Sequence, residues 1–211
     1  LRNDPQRRRY DTVRAIQMDA FYIEYKWMEP WMDKIRQWHA MDEAACCKHI
    51  PPENAVVIHV RNFVDSEALN PKFAPSAFFE LLARFYIGDK ALNHILWIVC
   101  QPADTEIELV KALQQRYNGA VVVTGDDPYD AFCTLQKAKN LVLSSHSTFS
   151  QMAALLAAPG ANIHHMLSTI KYPEVTLVVP HWNYHLVEPQ HKDSIQVWNV
   201  SVISSITPVM L

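Results

Sequence analysis

Residues 144–156 read SSHSTFSQMAALL, a cluster of hydroxyls and one imidazole running directly into a helix of small apolar residues. The preceding KAKNLVL has the pattern of a buried strand, so the polar cluster falls where a strand becomes a helix. A helix start flanked by hydroxyls offers free backbone amides to an anion, phosphate above all. Two further segments carry compatible chemistry. In HVRNFVDSE, His59 and Arg61 lie two apart on a strand, hence on one face near its exit. A guanidinium there supplies the bidentate fork that a diphosphate prefers. In TGDDPYD, Asp126, Asp127 and Asp130 leave another strand. Simpler roles compete: Ser147 and Thr148 as helix caps, Arg61 paired with Asp65 or Glu67, Asp126 and Asp127 capping the next helix.

The elements that must position these residues alternate. AVVIHV, HILWIVC, GAVVVT and NLVLS are short, β-branched runs, and VTLVV is a fifth, predicting strands over 55–61, 93–100, 119–124, 140–144 and 175–179. Helical patterns separate them: SAFFELLARFY after Pro75, DTEIELVKALQQRY with Asp104 as N-cap, DPYDAFCTLQKAK, and STFSQMAALLAA up to Pro159-Gly160. Thr148 and Gln151 have capping-box spacing, which starts the last of these helices at Thr148. Alternation of this kind gives an α/β fold, a Rossmann-like parallel sheet flanked by helices. Ligands of such sheets bind at the carboxyl ends of the strands. By that rule His59, Arg61, Asp126, Asp127, Asp130, Ser145, His146, Ser147 and Thr148 converge on one edge.

Before the sheet, residues 1–50 read as a helical segment, with a stripe at Val13, Ile16, Ala20 and Ile23, a break at Glu29-Pro30, and a second helix, WMDKIRQWHAMDEAACC. Residues 51–211 form the Rossmann-like domain, with the tail after Pro180 wrapping back onto it. The N-terminal LRNDPQRRRY lacks a methionine and an apolar run, so it reads as the start of a trimmed chain and not as a signal peptide.

Composition narrows the function. The 211 residues are 49% hydrophobic and 19% charged with net charge −3, a balance that argues against a nucleic-acid partner. No run approaches the ~18 apolar residues of a membrane-spanning helix. Of the four cysteines, Cys46 and Cys47 are adjacent and no CxxC occurs, so neither a zinc site nor a disulfide framework is expected, and Cys100 reads as core. His164 and His165 lack an accompanying ligand set and read as structural or surface residues. Asn199-Val-Ser201 is a formal glycosylation acceptor.

Taken together, VVIHVRNFVD, TGDDPYDAF, SSHSTFSQMAALL and the closing VVPHWNYHLVEPQHKDSIQVWNVSVI resemble, in that order, the motifs of the α-1,2-fucosyltransferases and their α-1,6 and protein O-fucosyl relatives. MEPWMDKIRQWHAMDE resembles the helix before the arginine motif, so the resemblance spans roughly residues 25 to 200. It implies the donor-binding lobe of a GT-B glycosyltransferase that takes GDP-fucose, without a metal or other cofactor, and transfers the sugar to a glycan hydroxyl with inversion. Arg61 would hold the β-phosphate, His59 would line the nucleotide pocket, and the Asp126–Asp130 segment would meet guanine or ribose. Ser147 and Thr148 would bond the phosphates, and Asp65 or Glu67 would serve as general base.

The chain also departs from that family. Asn62 replaces the motif's second arginine, Asp65 falls one place late, His146 replaces an asparagine, and Gln151-Met152 replaces paired aromatics. The family's glycine-rich opening loop has no counterpart, because no glycine precedes Gly88. Two functions therefore stand: a fucosyltransferase-like enzyme whose first lobe or partner subunit lies elsewhere, or a non-catalytic structural or interaction module in a larger assembly. The compartment is open between a secretory lumen, if the enzyme is eukaryotic, and the cytoplasm, if bacterial.

Overall fold

The computed structural model describes residues 25–39, 47–61, 94–144, 147–168, 179, 181–192 and 195–203. Seven strands form one sheet: β1 (Ala55–Val60), β2 (Ile95–Cys100), β3 (Val121–Thr124), β4 (Asn140–Val142), β5 (Asn162–Ser168), β6 (Asn183–Lys192) and β7 (Ile195–Ile203). Their order is β3-β2-β1-β4-β5-β6-β7. Pairings are parallel from β3 across to β6, and β7 closes the sheet antiparallel to β6. The chain is thus an α/β protein with a Rossmann-like, helix-flanked sheet, as expected. The strand order reverses between β1 and β4, which opens a crevice at their carboxyl ends.

Burial explains why β1 is central. All six of its residues are buried and all but His59 are apolar, the run that a parallel strand covered on both faces requires. Side chains alternate between two cores. Ala55 and Val57, with Val99 and Val123, face α4 (Pro128–Lys137) and α5 (Thr148–Leu155). Val56, Ile58 and Val60, with Leu96 and Ile98, face Leu109, Val110 and Leu113 of α3 (Glu108–Arg116). Each such aliphatic side chain contributes about 1.5–3 kcal/mol by leaving water. The short N-terminal helices α1 (Tyr25–Met28) and α2 (Met32–Trp38), joined by a 3₁₀ turn at Glu29–Trp31, place Met28 and Met32 in the first core. Arg36 of α2 donates to the carbonyl of Leu155 at 3.4 Å, satisfying the C-terminal end of α5.

Several expectations shift. β3 begins at Val121 because Gly119, at φ 88°, makes a left-handed turn just before it. Asp104 does not cap α3. Pro102 opens a 3₁₀ turn through Glu106, burying Asp104 within it, and extended Ile107 becomes the N-cap. The capping box at Thr148 is not formed either. Ser147 is extended and is the N-cap, so Gln151 sits at the fourth helical position, one too far to close the box. Cys47 and Cys133 form a disulfide, with Cα atoms 5.5 Å apart, contrary to the expectation of none; their 86-residue separation hides the pairing from any spacing motif. Cys100 is buried, as expected.

His164 and His165, expected to be structural or surface residues, are buried in β5, a strand whose polar pair disguises it. The tail does return to the sheet, as β6 and β7, the former containing Pro189. The predicted helix over SAFFELLARFY lies outside the described residues, as do residues 175–178 of the predicted fifth strand; Val179 is buried outside any strand. Among the described residues no helix is long and apolar enough to cross a membrane.

Candidate functional site

The switch point between β1 and β4 gathers the chemistry. His59 is the fifth residue of β1, 5% exposed, on the face that α4 and α5 cover. Its ring lies 5.9 Å from that of Phe149 in the first turn of α5, and Phe149 meets Phe132 of α4 edge-on at 5.3 Å. The Nδ1 atom of His59 has no hydrogen-bond partner among the described residues. Burial, and then the adjacent Arg61 charge, push its pKa down to about 3. At neutral pH the imidazole is therefore uncharged, one nitrogen donating and the other accepting. Arg61 follows β1 directly and is half-buried.

Beside them, β4 gives way to Leu143, whose amide donates to the His164 carbonyl at 2.9 Å, and to buried Ser144. Ser147 is buried as the N-cap of α5 and makes no side-chain cap bond, while Thr148 is exposed. Ser150 turns its hydroxyl back to the carbonyl of Ser147 at 3.2 Å. The amide of Gln151 donates to the same carbonyl at 3.1 Å, and its buried side-chain Nε2 has no partner among the described residues. The first-turn amides of α5 thus follow the carboxyl end of β4, the strand beside β1.

The acidic segment sits elsewhere along the same edge. β3 lies two strands from β1, or roughly 10 Å at ordinary strand spacing. Asp126 accepts the Thr124 hydroxyl at 2.7 Å. Asp127 is the N-cap of α4, accepting the Tyr129 amide at 3.0 Å, and it pairs with Lys48 at 3.3 Å. Asp130 is buried and faces inward. Its carboxylate accepts the amides of Lys48 (2.6 Å) and His49 (3.0 Å) and the His49 Nδ1 (2.6 Å). Burial alone would raise its pKa, but these bonds hold it below the usual carboxylate value. Thr134 adds a bond to the His49 carbonyl at 2.7 Å, so Asp130 fastens the segment entering β1 onto α4. Ser145, His146, Asp65 and Glu67 lie outside the described residues. His59 thus meets the first turn of α5 through Phe149, Arg61 follows β1, and Ser147 and Thr148 begin α5 after β4; the Asp126–Asp127 turn follows β3, two strands from β1, and Asp130 is bound to Lys48 and His49.

The solved structure described as the glycosyl transferase family 9 from Veillonella parvula DSM 2008 matches with a TM-score of 0.43 at 13% identity. The match covers 74% of this chain and 40% of that one, so this chain spans well under half of its length. No family model matches the sequence, and neither does any curated protein. These comparisons do not single out the fucosyltransferases. Among the described residues no group of three or more His, Cys, Asp or Glu side chains gathers in a metal-binding arrangement.

Proposed function

We propose that the chain is the donor-binding lobe of a glycosyltransferase, taking GDP-fucose and transferring fucose to a glycan hydroxyl by an inverting, metal-independent mechanism. What supports this reading is that Arg61 follows β1 and α5 begins after β4, the two neighbouring strands that flank the switch point. A diphosphate there meets a guanidinium, helix amides and the Ser147 and Thr148 hydroxyls. Arg61 offsets the charge that grows on the departing diphosphate, and neutral His59 contributes a hydrogen bond without competing for the anion. The turn at Asp126 and Asp127 lies about where the nucleoside end of such a ligand reaches. One of Asp65 and Glu67 serves as general base toward the acceptor hydroxyl.

Calorimetry with GDP tests the reading. Arg61→Ala is expected to weaken GDP by about 2–4 kcal/mol, more than loss of the hydroxyl at Ser147 or Thr148. Absence of GDP binding at millimolar concentration would reject the donor lobe in favour of a structural or interaction module. GDP binding unchanged by Arg61→Ala would keep the lobe and reject the site.

Donor binding is also expected to survive EDTA. Asp126 and Asp127 are engaged with Thr124, Tyr129 and Lys48, whereas a magnesium site needs carboxylates turned to the diphosphate. Binding that required Mg²⁺ or Mn²⁺, and that fell when both aspartates were replaced, would place a cation at this edge.

A further inference from the structure

We propose that Gln151 is a ligand-binding residue of the crevice, its carboxamide N–H donating to an oxygen of the bound anion. The inference rests on the nucleotide reading above and adds to it a donor from within the helix. Gln151 is 4% exposed, and its Nε2 has no hydrogen-bond partner among the described residues. A buried amide N–H left without an acceptor lowers stability, so its retention calls for a compensating role. Its neighbours on α5 make the contrast plain: Ala153, Ala154 and Leu155 are all buried in the apolar core, where an aliphatic side chain at position 151 would satisfy packing without a polar penalty.

Geometry directs the amide to the crevice. Long helical side chains lean toward the helix N-terminus and cover the turn before their own Cα. From the fourth position of α5, the Gln151 amide is carried back over the first turn, where Ser147 is the buried N-cap and backbone amides open outward. The side chain takes no part in capping, since the Ser147 amide donates to the Ser144 carbonyl at 3.4 Å and Gln151 Nε2 has no partner among the described residues. A second unpartnered buried atom, His59 Nδ1, belongs to the same crevice. With Arg61 beside them, the helix amides and the Gln151 N–H form a donor-rich mouth, which suits the oxygens of a phosphate and repels a metal ion.

The test pairs GDP affinity with the thermal stability of the unliganded protein. Gln151→Met keeps the volume and removes the amide. It is expected to weaken GDP roughly ten-fold or more while raising the melting temperature of the free protein by about 2–4 °C, because an unsatisfied polar group is gone. Gln151→Glu, which sets a carboxylate against the anion, should weaken GDP further. GDP affinity unchanged in Gln151→Met, or as tight in Gln151→Glu as in the original protein, overturns the proposal. So does a weakened Gln151→Met whose melting temperature falls, since that marks a packing role. In each of these cases Arg61→Ala still weakens GDP if the nucleotide reading holds. Absence of GDP binding to the original protein defeats both.

Discussion

Replacing Cys47 and Cys133 together by alanine is expected to lower the unfolding free energy by about 4 kcal/mol. In the chain-entropy view a cross-link stabilises by constraining the unfolded chain, and a loop of ~100 residues is worth about 4–5 kcal/mol. The 86-residue separation here falls close to that limit. The bond does not act alone. It sits beside Asp130, which holds the Lys48 and His49 amides, and Thr134, which holds the His49 carbonyl. Together these fasten the segment leading into β1, the strand bearing His59, onto α4. Urea unfolding should therefore show a lower midpoint in the double variant. Hydrogen exchange should show faster opening of the Lys48 and His49 amides. A thiol reductant should destabilise the original protein and leave the double variant unchanged. An unaltered midpoint would show that the non-covalent ties suffice. Such a bond persists in oxidising surroundings.

The second large effect is acid sensitivity. Burial, then Arg61, lowers the His59 pKa to about 3, and burial, then His185, lowers that of His164 to about 3. His164 and His185 stack with ring centroids 5.1 Å apart, their Nδ1 and Nε2 at 2.8 Å, and burial lowers His185 as well. Both His59 and His164 are neutral when folded at pH 5, whereas in the unfolded chain, with an ordinary value near 6.5, most are protonated. The unfolded state thus binds more protons between pH 6.5 and 3. Stability is fully present above 6.5 and falls with pH through that window, by about 2 kcal/mol at pH 5 for each of the two. Asp130, whose folded pKa is depressed, acts in the same direction at still lower pH. Against a total of ~5–15 kcal/mol, this is enough to begin unfolding the domain in mild acid. Denaturation at pH 7.5 and 5.0 should differ by roughly 4 kcal/mol, and His59→Phe should flatten the slope. Equal stability at the two pH values would mean that these imidazoles are not held neutral.

What the sequence by itself determined was local. A run such as AVVIHV, apolar at every position but His59, can be satisfied only inside a covered sheet, so β1, β2, β3 and β4 were legible from composition and length. Alternation with amphipathic helices determined the α/β class, and the carboxyl-end rule put His59 near the exit of its strand, where its ring meets Phe149 of α5. Tertiary structure decided whatever depends on partners distant in the chain. β5 carries His164 and His165, and β6 carries Pro189. Such residues carry no strand pattern of their own, and neighbouring strands bury the imidazoles and supply the ladder. The disulfide needed Cys47 brought against α4, and Asp130 could be seen to face inward only once Lys48 and His49 lay beside it. The N-cap of α5 fell one residue earlier than its motif implied because Ser147 is the residue that leaves extended geometry there. Periodicity reports which face a residue occupies; which distant group meets it there is settled by packing alone.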